Sequence, residues 1–302
     1  MLSNTRALVL TTALAPIAWG TTYLTATTFL PPGHPLLTAA VRALPAGLVL
    51  LALARRLPSG PWWWRSGLLG ALNITVFFAC LFIAADRLPG GVAAVVGGIQ
   101  PLVVTVLASL LLSERLTPVA IGAGVAGALG VALIVAPGGV DLDPLGVTAA
   151  LVGALSMAVG TVLTKRWGGG VPPLALTAWQ LMAGGILLAL LAAIVEPAPT
   201  VPLNATHLAA YAYLSMIGTA IAYVLWFRGL RSLPARLPAF LGLLSPVVAV
   251  LLGLTLARET LTPLQITGIA VVIGSVAAVV GHRGVHARRA GGECPRWDSN
   301  PD

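Results

Sequence analysis

LPGGVAAVVGGIQPLVVTVLASLLLSERLTP (Leu88–Pro118) and LPARLPAFLGLLSPVVAVLLGLTLARETLTP (Leu233–Pro263) are two versions of one segment, displaced by a constant 145 residues. Each is a long apolar run with a proline near its middle, Pro101 in the first and Pro246 in the second. A proline inside a helix cannot donate to the carbonyl four residues back, and its ring pushes against that carbonyl. Those carbonyls belong to Gly97 and Gly242. In lipid a freed carbonyl is tolerated only where protein or water satisfies it again. The paired Gly–Pro breaks therefore predict two interrupted helices beside a mid-depth cavity; a simple packing kink is the alternative.

The match spreads outward from these segments. WGTTYL at Trp19 has a weaker partner in VGTVLT at Val159, and AAVRALPAGLVLLALA pairs with TAWQLMAGGILLALLA, which sets Arg42 opposite Gln180. The chain reads as two repeats, 5–139 and 140–282, followed by a disordered basic tail over 283–302.

Composition says what surrounds the repeats. Of 302 residues 58% are hydrophobic and 9% charged, against roughly 25% charged in soluble domains. A chain this long cannot cover that much apolar surface with so few polar side chains, so most of it must face lipid. A bilayer core takes roughly 20 apolar residues per helix. Ten runs qualify: 7–29, 35–54, 66–85, 90–112, 119–136, 145–164, 172–194, 208–227, 237–257 and 264–281. They are apolar all round, with scattered Gly and Ala that let helix backbones approach closely. The period-two alternation of a β-barrel is missing. The fold class expected is an all-α polytopic membrane protein with ten transmembrane helices. Each repeat holds five, an odd number, so the second enters the membrane from the opposite side and the repeat is inverted.

The net charge is +8, but Lys and Arg lie in short connections between apolar runs. That is a topology signal and not the clustered basic face of a nucleic-acid binder. With a cytoplasmic N-terminus, fourteen Lys and Arg residues fall inside, and only Arg87 and Arg258 fall outside. Both termini are expected in the cytoplasm, the chain in the plasma membrane, and Trp62, Trp63 and Trp64 at the inner interface. Cys80 and Cys294 show no zinc spacing, and the four His form no ligand cluster. No catalytic constellation, metal or cofactor is called for.

These residues resemble the drug/metabolite transporter superfamily in its EamA-type branch. The resemblance covers about residues 5–282. It rests on AWGTTYL, RALPAG, LPGGVAAVVGGIQPLVV with LLLSERLTP, and WFRGLRSLPA with GLLSPVVAVLLGL and ETLTPLQITG. Within that branch the first half is most similar to the pigment- and metabolite-exporter type. The resemblance implies an exporter of small metabolites, often amino acids or related compounds, with ten spans and no catalytic machinery. An inverted repeat suits alternating access about a midplane site. Uptake or multidrug export on the same fold, a channel, and an integral-membrane enzyme are the alternatives. A channel needs polar rings along a continuous pore, and an enzyme needs gathered acids or histidines.

The candidate substrate-binding residues are the polar and aromatic side chains inside the spans. Arg42 is the one charge clearly within a span, and no Asp or Glu lies in any span. Such a residue is functional by default. Its partner is either a substrate carboxylate or the Val41 carbonyl freed by Pro45, unless it snorkels outward. Trp19, Thr22 and Tyr23 share a helical face. Asn73 precedes Phe77 by one turn. Gln100 and Ser245 stand just before the paired prolines, and Trp179 stands beside Gln180. Ser215, Thr219 and Tyr223 recur every four residues, with Trp226 close by. Together these can line a mixed aromatic–polar cavity; singly, each Ser, Thr or Gln can instead bond a neighbouring helix. Glu114 and Glu259 recur before LTP, either capping the following helix or forming gate pairs with Arg115 or Arg258. The partners expected are a small-molecule substrate and the lipid bilayer, with no nucleic acid; Gly- and Ala-rich faces leave room for a homodimer.

Overall fold

The computed structural model describes residues 2–87, 99–135, 143–199, 202–256 and 262–292. Among them every regular element is helical. The order is α1 (Leu2–Phe29), α2 (Pro35–Ala54), α3 (Trp62–Gly70), a first π-helical turn (Ala71–Val76) and α4 (Phe77–Arg87). Then come α5 (Gln100–Leu112), α6 (Pro118–Val135), α7 (Pro144–Trp167) and α8 (Pro173–Val195). The chain ends with α9 (Ala205–Ser215), a second π-helical turn (Met216–Ile221), α10 (Ala222–Ser232), α11 (Arg236–Leu241), α12 (Leu244–Leu256) and α13 (Pro263–Gly292).

Seven helical stretches are long and apolar enough to cross a bilayer: 5–26, 35–54, 62–81, 144–170, 173–195, 205–232 and 263–281. Three of the ten predicted spans are shorter apolar helices among the described residues, Gln100–Leu112, Pro118–Leu133 and Arg236–Val248. The fourth predicted span begins in 88–98, outside the described residues. The ninth is interrupted: α11 stops at Leu241 and α12 resumes at Leu244. At this break the Gly242 carbonyl is not left free, because the Ser245 N–H donates to it at 3.0 Å. Tightening to an i→i+3 bond offers a carbonyl a partner that the proline itself cannot supply. Gly97, the other predicted break, lies outside the described residues. α13 runs on to Gly292, into the segment that composition assigns to a disordered tail; Ala287, Arg288, Arg289 and Ala290 are good helix formers and no proline interrupts them.

Small residues set the packing. α2 and α8 make the most extensive helix pair, with Ala39, Ala40, Ala43, Ala46 and Gly47 buried on one side and Ala175, Ala178, Gly184 and Gly185 on the other. At Gly70 the backbones of α3 and α8 nearly touch: a Cβ there would lie 2.7 Å from both the Gln180 carbonyl and the Gly184 nitrogen. Such approach is how helices associate when lipid removes the hydrophobic drive between them. α1 packs on α10 and α12, while α7 packs on α4 and α5. Leu10, Leu53, Leu110, Leu129 and Ile194 are all more than half exposed, forming the outward apolar surface expected of a chain solvated by lipid.

The two π turns stand 145 residues apart, the separation of the opening segments. A π turn disturbs the i→i+4 ladder and recurs at functional sites.

Candidate functional site

The second π turn is held from across the bundle by Arg42 of α2. Arg42 is only 5% exposed, so it does not snorkel outward. Its Nε donates to Thr219 Oγ1 at 2.9 Å and its Nη2 donates to the Gly218 carbonyl at 3.0 Å. Within the protein its partner is therefore not the Val41 carbonyl but a loosened turn 176 residues further on. A carbonyl displaced from the helical ladder needs another donor in an apolar medium, and Gly218 has two, since Trp19 Nε1 also donates to it at 3.1 Å. Thr219 donates in turn to the Leu214 carbonyl, five residues back, at 2.8 Å. The Phe78 ring lies 4.9 Å from the guanidinium carbon, within cation–π range.

Aromatic rings wall this cluster. The Trp19 ring centroid is 5.1 Å from Tyr223 and 5.0 Å from Trp226, and Tyr223 is 5.7 Å from Phe227. Tyr223 and Trp226 are buried. Three polar atoms here have no partner: Thr22 Oγ1, Ser215 Oγ and Trp226 Nε1. Thr22 and Arg42 both face Gly218, where a Cβ would lie 3.6 Å from Thr22 Oγ1 and 3.8 Å from Arg42 Nη2.

The first π turn has its own polar clamp, and it too comes from across the bundle. Asn73 Nδ2 donates to Gln180 Oε1 of α8 at 2.7 Å and to Thr164 Oγ1 of α7 at 3.1 Å. Gln180 Nε2 donates to the Leu176 carbonyl at 3.3 Å. The Leu72 carbonyl of this turn accepts from Ser156 Oγ at 2.9 Å, and Thr75 Oγ1 donates to the Gly184 carbonyl at 3.0 Å. Asn73 Oδ1 faces Gly160 so closely that a Cβ there would overlap it.

The predicted site residues thus fall into separate groups. Trp19, Thr22, Arg42, Thr219, Tyr223 and Trp226 come together at the second π turn, and Asn73 and Gln180 bond one another at the first. Phe77 packs on Phe78 at 5.5 Å. Gln100 opens α5 beside the buried Pro101, and Ser245 lies in the first turn of α12 with Pro246, beyond the break at Gly242; the Ser245 backbone approaches Gly20 of α1. Trp179 turns away, donating to the Arg56 carbonyl at 2.8 Å and packing on Trp62 at 5.7 Å. The Tyr23 side chain lies outside the described residues. Gly218, Thr164 and Phe78 were not singled out from the sequence. Gly218 could have been, because it stands 145 residues after Asn73.

At the Lys/Arg-rich end, Glu114 Oε1 accepts from the Ala235 N–H at 2.7 Å and lies 3.7 Å from Lys165 Nζ. It does not cap the following helix; Thr117 does, accepting from the Ala120 N–H at 3.2 Å. Lys165 also donates to the Leu230 carbonyl at 3.1 Å and to that of Leu233. Arg236 Nη1 donates to the Arg115 carbonyl at 2.6 Å. A small cleft lies beside this lattice, between Lys165, Pro173, Leu230 and Arg231, with Thr164 at its wall. At the other end Glu196 accepts from the N–H groups of Leu36 and Leu37 at 2.6 and 2.9 Å, satisfying the first turn of α2. Asp143 caps α7, accepting from Leu145 and Gly146 at 2.7 and 3.2 Å, and pairs with Arg87 at 3.2 Å. These backbone bonds, Gly146 first, and then Arg87 hold its carboxyl below the usual range.

Among the described residues, an all-helical bundle with an apolar outer surface and polar groups drawn inward has the architecture of a multi-pass membrane protein. The EamA-like transporter family model matches residues 6–136 and again 144–281, and the chain belongs to that family. It is 43% identical over 267 residues to protein PecM of Dickeya dadantii (strain 3937), covering 88% of this chain and 89% of that one. It is 30% identical to the WAT1-related protein At3g02690, chloroplastic, of Arabidopsis thaliana, over 86% of this chain and 66% of the other. It is 29% identical to the uncharacterized inner membrane transporter YedA of Escherichia coli (strain K12), over 87% of each. A protein of known crystal structure shares the fold, with a TM-score of 0.80 at 24% identity, over 94% of this chain and 99% of its own.

Proposed function

We propose that this protein is a secondary transporter that exports small metabolites, amino acids or related compounds and pigments, by alternating access. Two inverted five-helix repeats, 5–139 and 140–282, exchange poses about a site at the second π turn. The observation that carries the reading is reciprocity. Arg42 of the first repeat clamps the π turn of the second, and Gln180, its counterpart, clamps the π turn of the first. Exchanging the repeats also exchanges the helix pairs: α1 with α10 and α12 becomes α7 with α4 and α5. Two near-equivalent halves about a shared centre are what alternating access requires. Trp19, Thr22, Arg42, Thr219, Tyr223 and Trp226 line the site, and the Lys/Arg bias puts both termini in the cytoplasm of a plasma-membrane protein.

The test compares metabolites in media of cells with and without the gene, and with the Arg42→Ala variant. Compounds that accumulate outside only with the intact gene, and not with Arg42→Ala present in the membrane, are the expected result. Identical media in all three cultures would overturn the reading. Tags on both chain ends are expected to be reached from one face of the membrane only.

A further inference from the structure

The two bonds of Arg42 have a particular shape. Nε–H and the Nη2–H beside it form one straight edge of the guanidinium, the edge that takes a carboxylate in side-on bidentate pairing. Here the two seats along that edge hold Thr219 Oγ1 at 2.9 Å and the Gly218 carbonyl oxygen at 3.0 Å. Two neutral oxygens from consecutive residues thus stand where the oxygens of one carboxylate would sit. Charge-assisted bonds to an ionised acceptor are roughly twice as strong as those to neutral acceptors. A carboxylate would also cancel a buried charge, which is costly while it stays uncompensated.

We infer that the Gly218–Thr219 pair is an internal stand-in for the substrate's carboxylate, which displaces it from Arg42 on binding. This rests on the transporter reading above and names its substrate class: monocarboxylates with an apolar or aromatic body. The displaced Gly218 carbonyl gives up Trp19 Nε1 at the same time, so a second donor turns to the substrate. Trp226 Nε1 and Ser215 Oγ are buried without a partner on the same helical stretch, and Thr22 Oγ1 beside Gly218 is also unpartnered. The site is therefore rich in donors, as an anion requires. Its walls, Trp19, Tyr223, Trp226 and Phe78, suit an apolar body. Arg42 is the ionised group of the site, so a cation is repelled and a neutral amide gains no charge-assisted bond. The exchange also links binding to motion, because the second π turn loses its tie to α2 when the substrate takes the guanidinium.

The experiment measures binding of radiolabelled phenylacetate to purified protein in nanodiscs, where leakage of the neutral acid through lipid does not enter the readout. Phenylacetamide and phenethylamine serve as the neutral and cationic isosteres. Phenylacetate is expected to bind in roughly the millimolar range or tighter, and each isostere at least about tenfold more weakly. Arg42→Lys keeps the charge but loses the straight edge, and should weaken phenylacetate binding about tenfold or more; Arg42→Gln should do the same. Thr219→Val removes one competing acceptor and should tighten phenylacetate binding by about three- to tenfold, where a hydroxyl that merely contacted substrate would lose affinity. Equal binding of phenylacetamide, no binding of phenylacetate, or weaker binding by Thr219→Val would each overturn the exchange. If export still required Arg42 in those cases, the transporter reading would stand while the carboxylate assignment fell.

Discussion

The two π turns are the same structural device used in two ways. Around the first, Asn73, Thr164 and Gln180 are neutral, buried and bonded mainly to one another, with Asn73 Oδ1 left without a partner. Around the second, the clamp is a guanidinium held by neutral oxygens, with unpartnered donors close by. A neutral hydrogen-bonded network rigidifies a core. A buried charge without a countercharge is a demand for a ligand. One duplicated framework therefore carries a neutral clamp in one half and a charged one in the other, Gln180 in place of Arg42, and on the proposed function the charged half is the binding side.

The sharpest way to break this contrast is Arg42→Gln, which copies the neutral clamp onto the binding side. It should abolish transport in loaded vesicles while the protein still folds and inserts, because Gln reaches Gly218 or Thr219 without charge. Full transport by that variant would erase the distinction. The converse change, Asn73→Ala, should act on stability: it leaves the Gln180 acceptor without its closest donor at a cost of about 1–3 kcal/mol. Thermal unfolding in detergent should show the loss, while the folded fraction keeps its substrate affinity. Gly160→Ala tests the same region by size, since its Cβ would overlap Asn73 Oδ1. Overpacking of this kind costs about 1–3 kcal/mol, and pairing it with Asn73→Ser should recover part of the loss.

Smaller effects are expected at the ends of the bundle. Glu114→Gln keeps an acceptor for the Ala235 N–H but removes the 3.7 Å pairing with Lys165. The transport rate should change by no more than about fivefold, with substrate affinity unaltered. Asp143→Ala removes the α7 cap and should lower the unfolding temperature slightly. Because folding depresses this carboxyl, its contribution is complete above the ordinary carboxylate pKa of about 3.9 and is lost as the pH falls below that through the folded value. The gap between Asp143→Ala and the unaltered protein should therefore shrink in acid.

Reading the residues alone reached the helical membrane class, the family and much of the polar interior. Arg42, Asn73, Gln180 and Thr219 stood out because a polar side chain in an apolar run is rare and costly. Their grouping did not follow. Asn73 and Gln180 were expected beside Arg42 in one cavity, yet they close on each other around the other π turn. The Gly242 carbonyl, expected to be free, is met by the Ser245 N–H. Glu114 pairs with Lys165 of α7 and not with its neighbour Arg115; Glu259 and Arg258, the other expected pair, lie outside the described residues.

Composition and the 145-residue repetition determined by themselves that this chain is a duplicated helical membrane protein, since apolar content selects the solvent and lipid forces every backbone polar group to be satisfied internally. Tertiary structure alone decided which polar residues meet. A π turn leaves no compositional trace, because it is a change in hydrogen-bond register, and Arg42 finds Gly218 only because the fold packs the second π turn against α2.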